Sequence, residues 1–128
     1  MLPKQTGGGC SCGSNAGPKL IFACSGCADV GELADQAARK LTRDGAAKMF
    51  CLAGIGGRVS GIVKSTETAQ SILAIDGCSL EFTKKTLEMA GFTKVTHLRL
   101  NDLGFEKGST DVSAATIARV IEHAQIYL

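Results

Sequence analysis

The chain has 128 residues, 45% hydrophobic and 5% aromatic with no tryptophan, enough for one core of aliphatic side chains and too few for two. Fourteen basic and twelve acidic residues leave a formal charge of +2, too small and too evenly spread to argue for nucleic acid or an acidic membrane as partner. The amino-terminal residues lack the apolar stretch of a secretion signal, and no run approaches the roughly 20 apolar residues of a membrane span.

A cytoplasmic protein is therefore expected. In that reducing setting six cysteines point to metal or thiol chemistry before structural disulfides.

Residues 1–18 read as a Gly/Cys-rich arm, Gly7-Gly8-Gly9 followed by Cys10-Ser11-Cys12-Gly13, with little to bury. The folded part is expected over 19–128, where strand-like and helix-like segments alternate as in a parallel α/β sheet. The apolar run 19–24 is a first strand closing on Cys24. A helix follows from Asp29, with Glu32 spaced as in a capping box. Val30, Leu33, Ala34, Ala37, Ala38 and Leu41 recur at helical spacing, and Asp44-Gly45 ends it. Residues 48–54 read as a second strand with Cys51 within it or near its end, leading into the loop Gly54-Ile55-Gly56-Gly57. A second helix is expected to start between Gly61 and Ser65 and to finish near Gln70. The third strand, 72–75, leads into Asp76-Gly77-Cys78. A helix from Ser79 or Leu80 to Ala90 comes next, stopped by Gly91. Residues 94–100 alternate as a strand, and 111–126 form a last helix with Ala114, Ile117, Ala118 and Ile121 on one face.

These elements predict a small doubly wound α/β fold, flavodoxin-like or Rossmann-like. It has a four-stranded parallel sheet, β-α repeated four times, and right-handed crossovers. Strand order 2-1-3-4 puts the switch point between the first and third strands, beside Cys24 and Cys78. Ligands bind at that carboxyl edge in open α/β sheets.

Cys24-Ser25-Gly26-Cys27 is the sharpest local motif. It lies at a strand end and just before a helix, where the dipole and free N–H groups favour a thiolate. Such a pair serves a metal site, a thiol–disulfide couple, or simply fills space. A thioredoxin fold is excluded, because its reactive thiol faces a cis-proline and this chain has no proline after Pro18. Cys51 alone suits a core position, but the glycines beside it let the backbone approach a ligand. Asp76-Gly77-Cys78 repeats the pattern of strand end and cysteine, with Asp76 open to reading as ligand, supporting base or helix cap. His97 and His123 read as structural or surface residues, Arg39, Lys40, Lys84 and Lys85 as solvated helix faces, and Asn101-Asp102 as a turn.

The blocks around Phe22-Ala23-Cys24-Ser25-Gly26, Cys51-Leu52-Ala53-Gly54-Ile55-Gly56 and Ile75-Asp76-Gly77-Cys78, with the helix ending at Gly91, resemble the DGC-domain family. The resemblance covers about 19–100. Three cysteine blocks in this order make it more specific than the triplet alone. Members are described as zinc-binding proteins of prokaryotes, so the resemblance implies a metal site built from cysteines and brings no defined reaction. Similar chains often carry a further cysteine four residues after the triplet's own; here that position is Phe82.

The combined expectation is a small zinc-binding protein, with iron as the other metal thiolates take. Cys24, Cys51 and Cys78 form the shared ligand core, and Cys27 or Cys12 completes it. Cys10 is the remaining thiol of the arm. A redox protein using Cys24 and Cys27 is the alternative. The metal ion is the one partner implied, and the residues name no substrate.

Overall fold

The computed structural model describes residues 17–128; Cys10, Cys12 and all but the last two residues of the expected arm lie outside them. In chain order come β1 (Lys19–Ala23), α1 (Asp29–Arg43), β2 (Lys48–Met49), α2 (Leu52–Gly56), α3 (Ser60–Glu67), β3 (Ser71–Asp76), α4 (Phe82–Met89), β4 (Thr96–Arg99) and α5 (Ala114–Ala124). Short 3-10 turns occupy Leu100–Leu103 and Gln125–Tyr127.

The strands form one parallel sheet in the order β2-β1-β3-β4, the order expected by analogy with flavodoxin-like folds. β1 shows why both faces are covered. Ile21 and Ala23 join the side packed by α1 and α5, with Leu33, Leu41, Ile75 and Val120. Leu20 and Phe22 point the other way, towards Ile55 of α2 and Leu87 of α4. Side chains alternate along a strand, so a strand buried on both faces is a continuous apolar run. β3 fits that description, with only Ser71 partly exposed. α1 buries the apolar positions expected of it and carries acids in its first turn and bases in its last, as the helix dipole favours.

Three local expectations are corrected. β2 is two residues long, and Cys51 lies beyond it as the residue capping α2. The glycine loop after it is helical from Leu52 to Gly56, because Leu52 and Ile55 can pack inward while Gly54 lets Ile62 of α3 approach; a Cβ there would stand 2.8 Å from the Ile62 side chain. Two helices therefore follow β2 instead of one, and the second starts earlier than expected, at Ser60.

Asp29 and Glu32 also do not make a capping box. Ala28 is the cap residue of α1. The Asp29 carboxylate instead accepts the amides of Val30 (2.8 Å), Gly108 (2.9 Å) and Thr110 (2.9 Å). It thereby fastens the loop before α5 onto the start of α1. Among the described residues no helix is long and apolar enough to cross a membrane.

Candidate metal centre

The carboxyl edge of the sheet is built from three strand exits. Cys24 continues the β1 ladder by one residue, its amide donating to the Ile75 carbonyl of β3 (3.1 Å). Ser25 then turns the chain in the left-handed region (φ 52°). Such a conformation strains a residue bearing a Cβ and persists only where its surroundings hold it. Here the Ser25 hydroxyl donates to Asp35 Oδ1 (2.7 Å), and Arg39 Nε donates to Asp35 Oδ2 (2.6 Å). These bonds keep the Asp35 carboxyl below its ordinary range against the opposing effect of partial burial, which is the largest single influence on it. Cys27, exposed, ends the turn before α1.

The exit of β3 is fixed more firmly. Asp76 is 1% exposed, and its oxygens accept the amides of Thr83 (2.7 Å) and Lys84 (3.2 Å) and meet His97 Nε2 at 2.8 Å. The first turn of α4 has no side-chain cap from its own cap residue, Glu81. The aspartate seven residues earlier supplies the missing acceptor for its orphan amides. Asp76 is thus a helix cap paired to a histidine, with both of its oxygens engaged. Gly77 passes against α1 so closely that a Cβ would lie 2.7 Å from the Val30 backbone. That close passage sets Cys78 against the Cys24–Cys27 turn. Beyond Cys78, Glu81 is a second strained residue (φ 60°), its carboxylate accepting from Arg99 Nη1 (3.1 Å).

Cys24, Cys27 and Cys78 line one cavity of about 130 Å³, together with Glu81, Phe82 and Lys107. Cys51 is exposed and lines a different, larger cleft of about 870 Å³, in which Cys24 is again part of the wall. Cys24 is thus common to both spaces. All four described cysteines are free thiols. Among the described residues, no group of three or more His, Cys, Asp or Glu side chains stands in a metal-holding arrangement. The thiols around the smaller cavity suit a soft metal in kind. Cys12 and Cys10 are outside the described residues.

Phe82 is 49% exposed and borders the small cavity, its ring edge 3.8 Å from where a Cβ on Gly26 would be. Sequence reading assigned no role to His97 beyond structure and did not foresee Lys107. His97 was within reach of inference, because order 2-1-3-4 sets β4 beside β3 and its histidine near Asp76. Lys107 was not, because its place depends on the Asp29 clamp.

The DGC domain matches residues 20–124. The chain is also 40% identical over 88 residues to the Anaerobic and virulence modulator AnvM of Pseudomonas aeruginosa, a match spanning 69% of this chain and 67% of that protein. No solved structure matches it. With the Asp76-Gly77-Cys78 triplet at a strand exit and the match running through nearly all of the described residues, the chain belongs to the DGC-domain family.

Proposed function

We propose that the protein binds a soft metal ion, zinc before iron, at the carboxyl edge of its sheet through the thiolates of Cys24, Cys27 and Cys78. The observation that carries this reading is that these three cysteines, from two separate crossover units, line one small cavity. Thiolate donors suit zinc and iron over harder cations. Lys107 at the same cavity offsets part of the negative charge that several thiolates bring. Cys51 and the arm's Cys12 are the remaining candidates for a fourth thiolate. Three thiolates with an open position suit exchange or transfer of the metal, and four suit a closed structural site. A cytoplasmic setting, which keeps thiols reduced, belongs to the same proposal.

The metal would supply a charge centre that ties two strand exits together. The chain's own residues prepare for it: Asp76 and Gly77 set the position of Cys78, and Asp35 holds the Ser25 turn between Cys24 and Cys27. AnvM carries a name that ties that protein to anaerobic conditions. A thiolate site accords with such a role here, since thiolates are the sulfur species that oxidants attack.

The exposure of Cys27 favours one second reading, a Cys24–Cys27 couple. In it the two thiols would pass two electrons and two protons to a partner disulfide, leaving a Cys24–Cys27 disulfide and two partner thiols. Elemental analysis and thiol titration of protein purified without oxygen separate the readings. Near-stoichiometric zinc or iron, with thiols that become reactive only after chelation, is expected. Metal-free protein that cycles between two free thiols and a Cys24–Cys27 disulfide would replace the metal reading with the redox one. Phe82→Cys adds a thiol at the same cavity and is expected to slow metal loss to a chelator; unchanged loss would count against this cavity as the site.

A further inference from the structure

The larger cleft lies on the β2 side of the sheet, between the second half of α1 and the turn from β2 into α2. Its volume of about 870 Å³ is within the usual range of small-molecule sites, roughly 300–1,000 Å³. Met49, Phe50 and Leu52 give it an apolar wall, and the thiols of Cys24 and Cys51 add small, weakly polar surface. Phe50 is held by the buried ring of Phe22, which meets it in a T-shaped contact with centroids 6.0 Å apart. An aromatic wall fixed in this way is a ready platform for a flat ligand.

The charged groups of the cleft are settled in all but one case. Arg39 Nε donates to Asp35 Oδ2 (2.6 Å), and the Ser25 hydroxyl donates to the other oxygen (2.7 Å). That pair is neutral as a unit. Arg43 also lines the cleft, and it meets no carboxylate among the described residues. Lys48 is not part of the wall, but its Nζ stands 5.8 Å from the Phe50 centroid and adds to the positive potential there. What the cleft offers an occupant is therefore one uncompensated guanidinium beside an apolar platform.

The balance of charge says what the occupant should carry. A guanidinium pairs a carboxylate through two parallel hydrogen bonds. A phosphate dianion would call for further donors, and the wall brings no second cation free of a carboxylate.

We propose that this cleft binds a small monocarboxylate with a flat apolar body, the carboxylate on Arg43 and the body against Phe50 and Leu52. The site stands apart from whatever the small cavity holds. Cys51 lines this cleft and not the small cavity, whereas Cys27 lines the small cavity and not this cleft. Both are exposed, so the alkylation rate of each thiol reports on its own space.

The probe is 2-naphthoate, titrated into the full-length protein without oxygen. One tyrosine and no tryptophan leave little protein emission to mask its fluorescence. The neutral control, 2-naphthylmethanol, has the same ring system without the charge. The acid is expected to bind at least about tenfold more tightly than the alcohol, the scale of a charged hydrogen bond. Arg43→Gln should bring the acid down to the affinity of the alcohol. Bound naphthoate should slow alkylation of Cys51 by iodoacetamide in proportion to occupancy and leave that of Cys27 unchanged.

Equal affinity of the parent protein for acid and alcohol overturns the carboxylate preference. Absence of binding, binding of the acid indifferent to Arg43→Gln, or protection of Cys27 in place of Cys51 overturns the site.

Discussion

Two of the strand exits carry the same local pattern, a cysteine between a strand and a helix, and the chain treats them differently. At the end of β3, a six-residue strand finishes on a carboxylate with three partners, and Cys78 follows two residues later. At the end of β2, two residues of ladder lead into a five-residue helix with no side-chain cap, and Cys51 is exposed. The first cysteine is positioned by the fold, whereas the second is merely delivered to the same edge. Sequence spacing alone does not separate the two cases; the supporting groups do.

The largest break in this comparison is expected from Asp76→Ala. It orphans the amides of Thr83 and Lys84 and strips His97 of its partner, at a cost of about 3 kcal/mol, measurable by denaturant unfolding. Asp76→Asn keeps an acceptor for the helix and should lose less than half as much. An alanine variant as stable as the parent would remove Asp76 from its role as cap.

Two glycine variants sharpen the contrast. Gly77→Ala sets a methyl 2.7 Å from the Val30 backbone, which has no rotamer to change, while Gly54→Ala meets only the Ile62 side chain at 2.8 Å. Overpacking costs about 1–3 kcal/mol; the β3 exit should be near the upper end and the β2 helix near the lower. Reversal of that order in unfolding experiments would show the β2 exit to be the firmer one.

Metal content tests the same difference at the sulfurs. Cys78→Ser is expected to remove most bound zinc, and Cys51→Ser to leave most of it in place, by elemental analysis of freshly purified protein. Equal loss from both would make Cys51 a full ligand and require the two spaces to act as one.

The smallest effect concerns the loop at 106–110. The amide of Gly108, followed by that of Thr110, holds the Asp29 carboxyl below its ordinary range. A folded-state value below the unfolded one contributes stability that is complete above the unfolded pKa, about 3.9, and is lost as pH falls through the folded value. Protection of the Gly108 and Thr110 amides, taken against their intrinsic exchange rates at each pH, should therefore fall under more acidic conditions while β3 stays protected. Asp29→Asn should show the faster exchange already at neutral pH.

The sheet was open to reading from the residues because apolar runs bounded by glycine and punctuated by amphipathic helices leave few ways to connect parallel strands. That reasoning gave a parallel sheet, and analogy with flavodoxin-like folds gave the order of strands that brings Cys24 and Cys78 to one edge. It misjudged β2, since Phe50, Cys51 and Leu52 continue an apolar run whether they lie in a strand or cap a helix. Asp76 had three open roles in sequence, and choosing among them required seeing that α4 lacks an acceptor of its own. Asp29 was misread for a related reason: its partners are about eighty positions away, beyond any local capping rule. The family resemblance pointed to Phe82 as an anomaly, and its place beside the small cavity gives that substitution a physical setting.

Because Cys24 lines both chambers, chemistry at its thiol cannot be private to either. An adduct or isotope label there would act as a reporter for both.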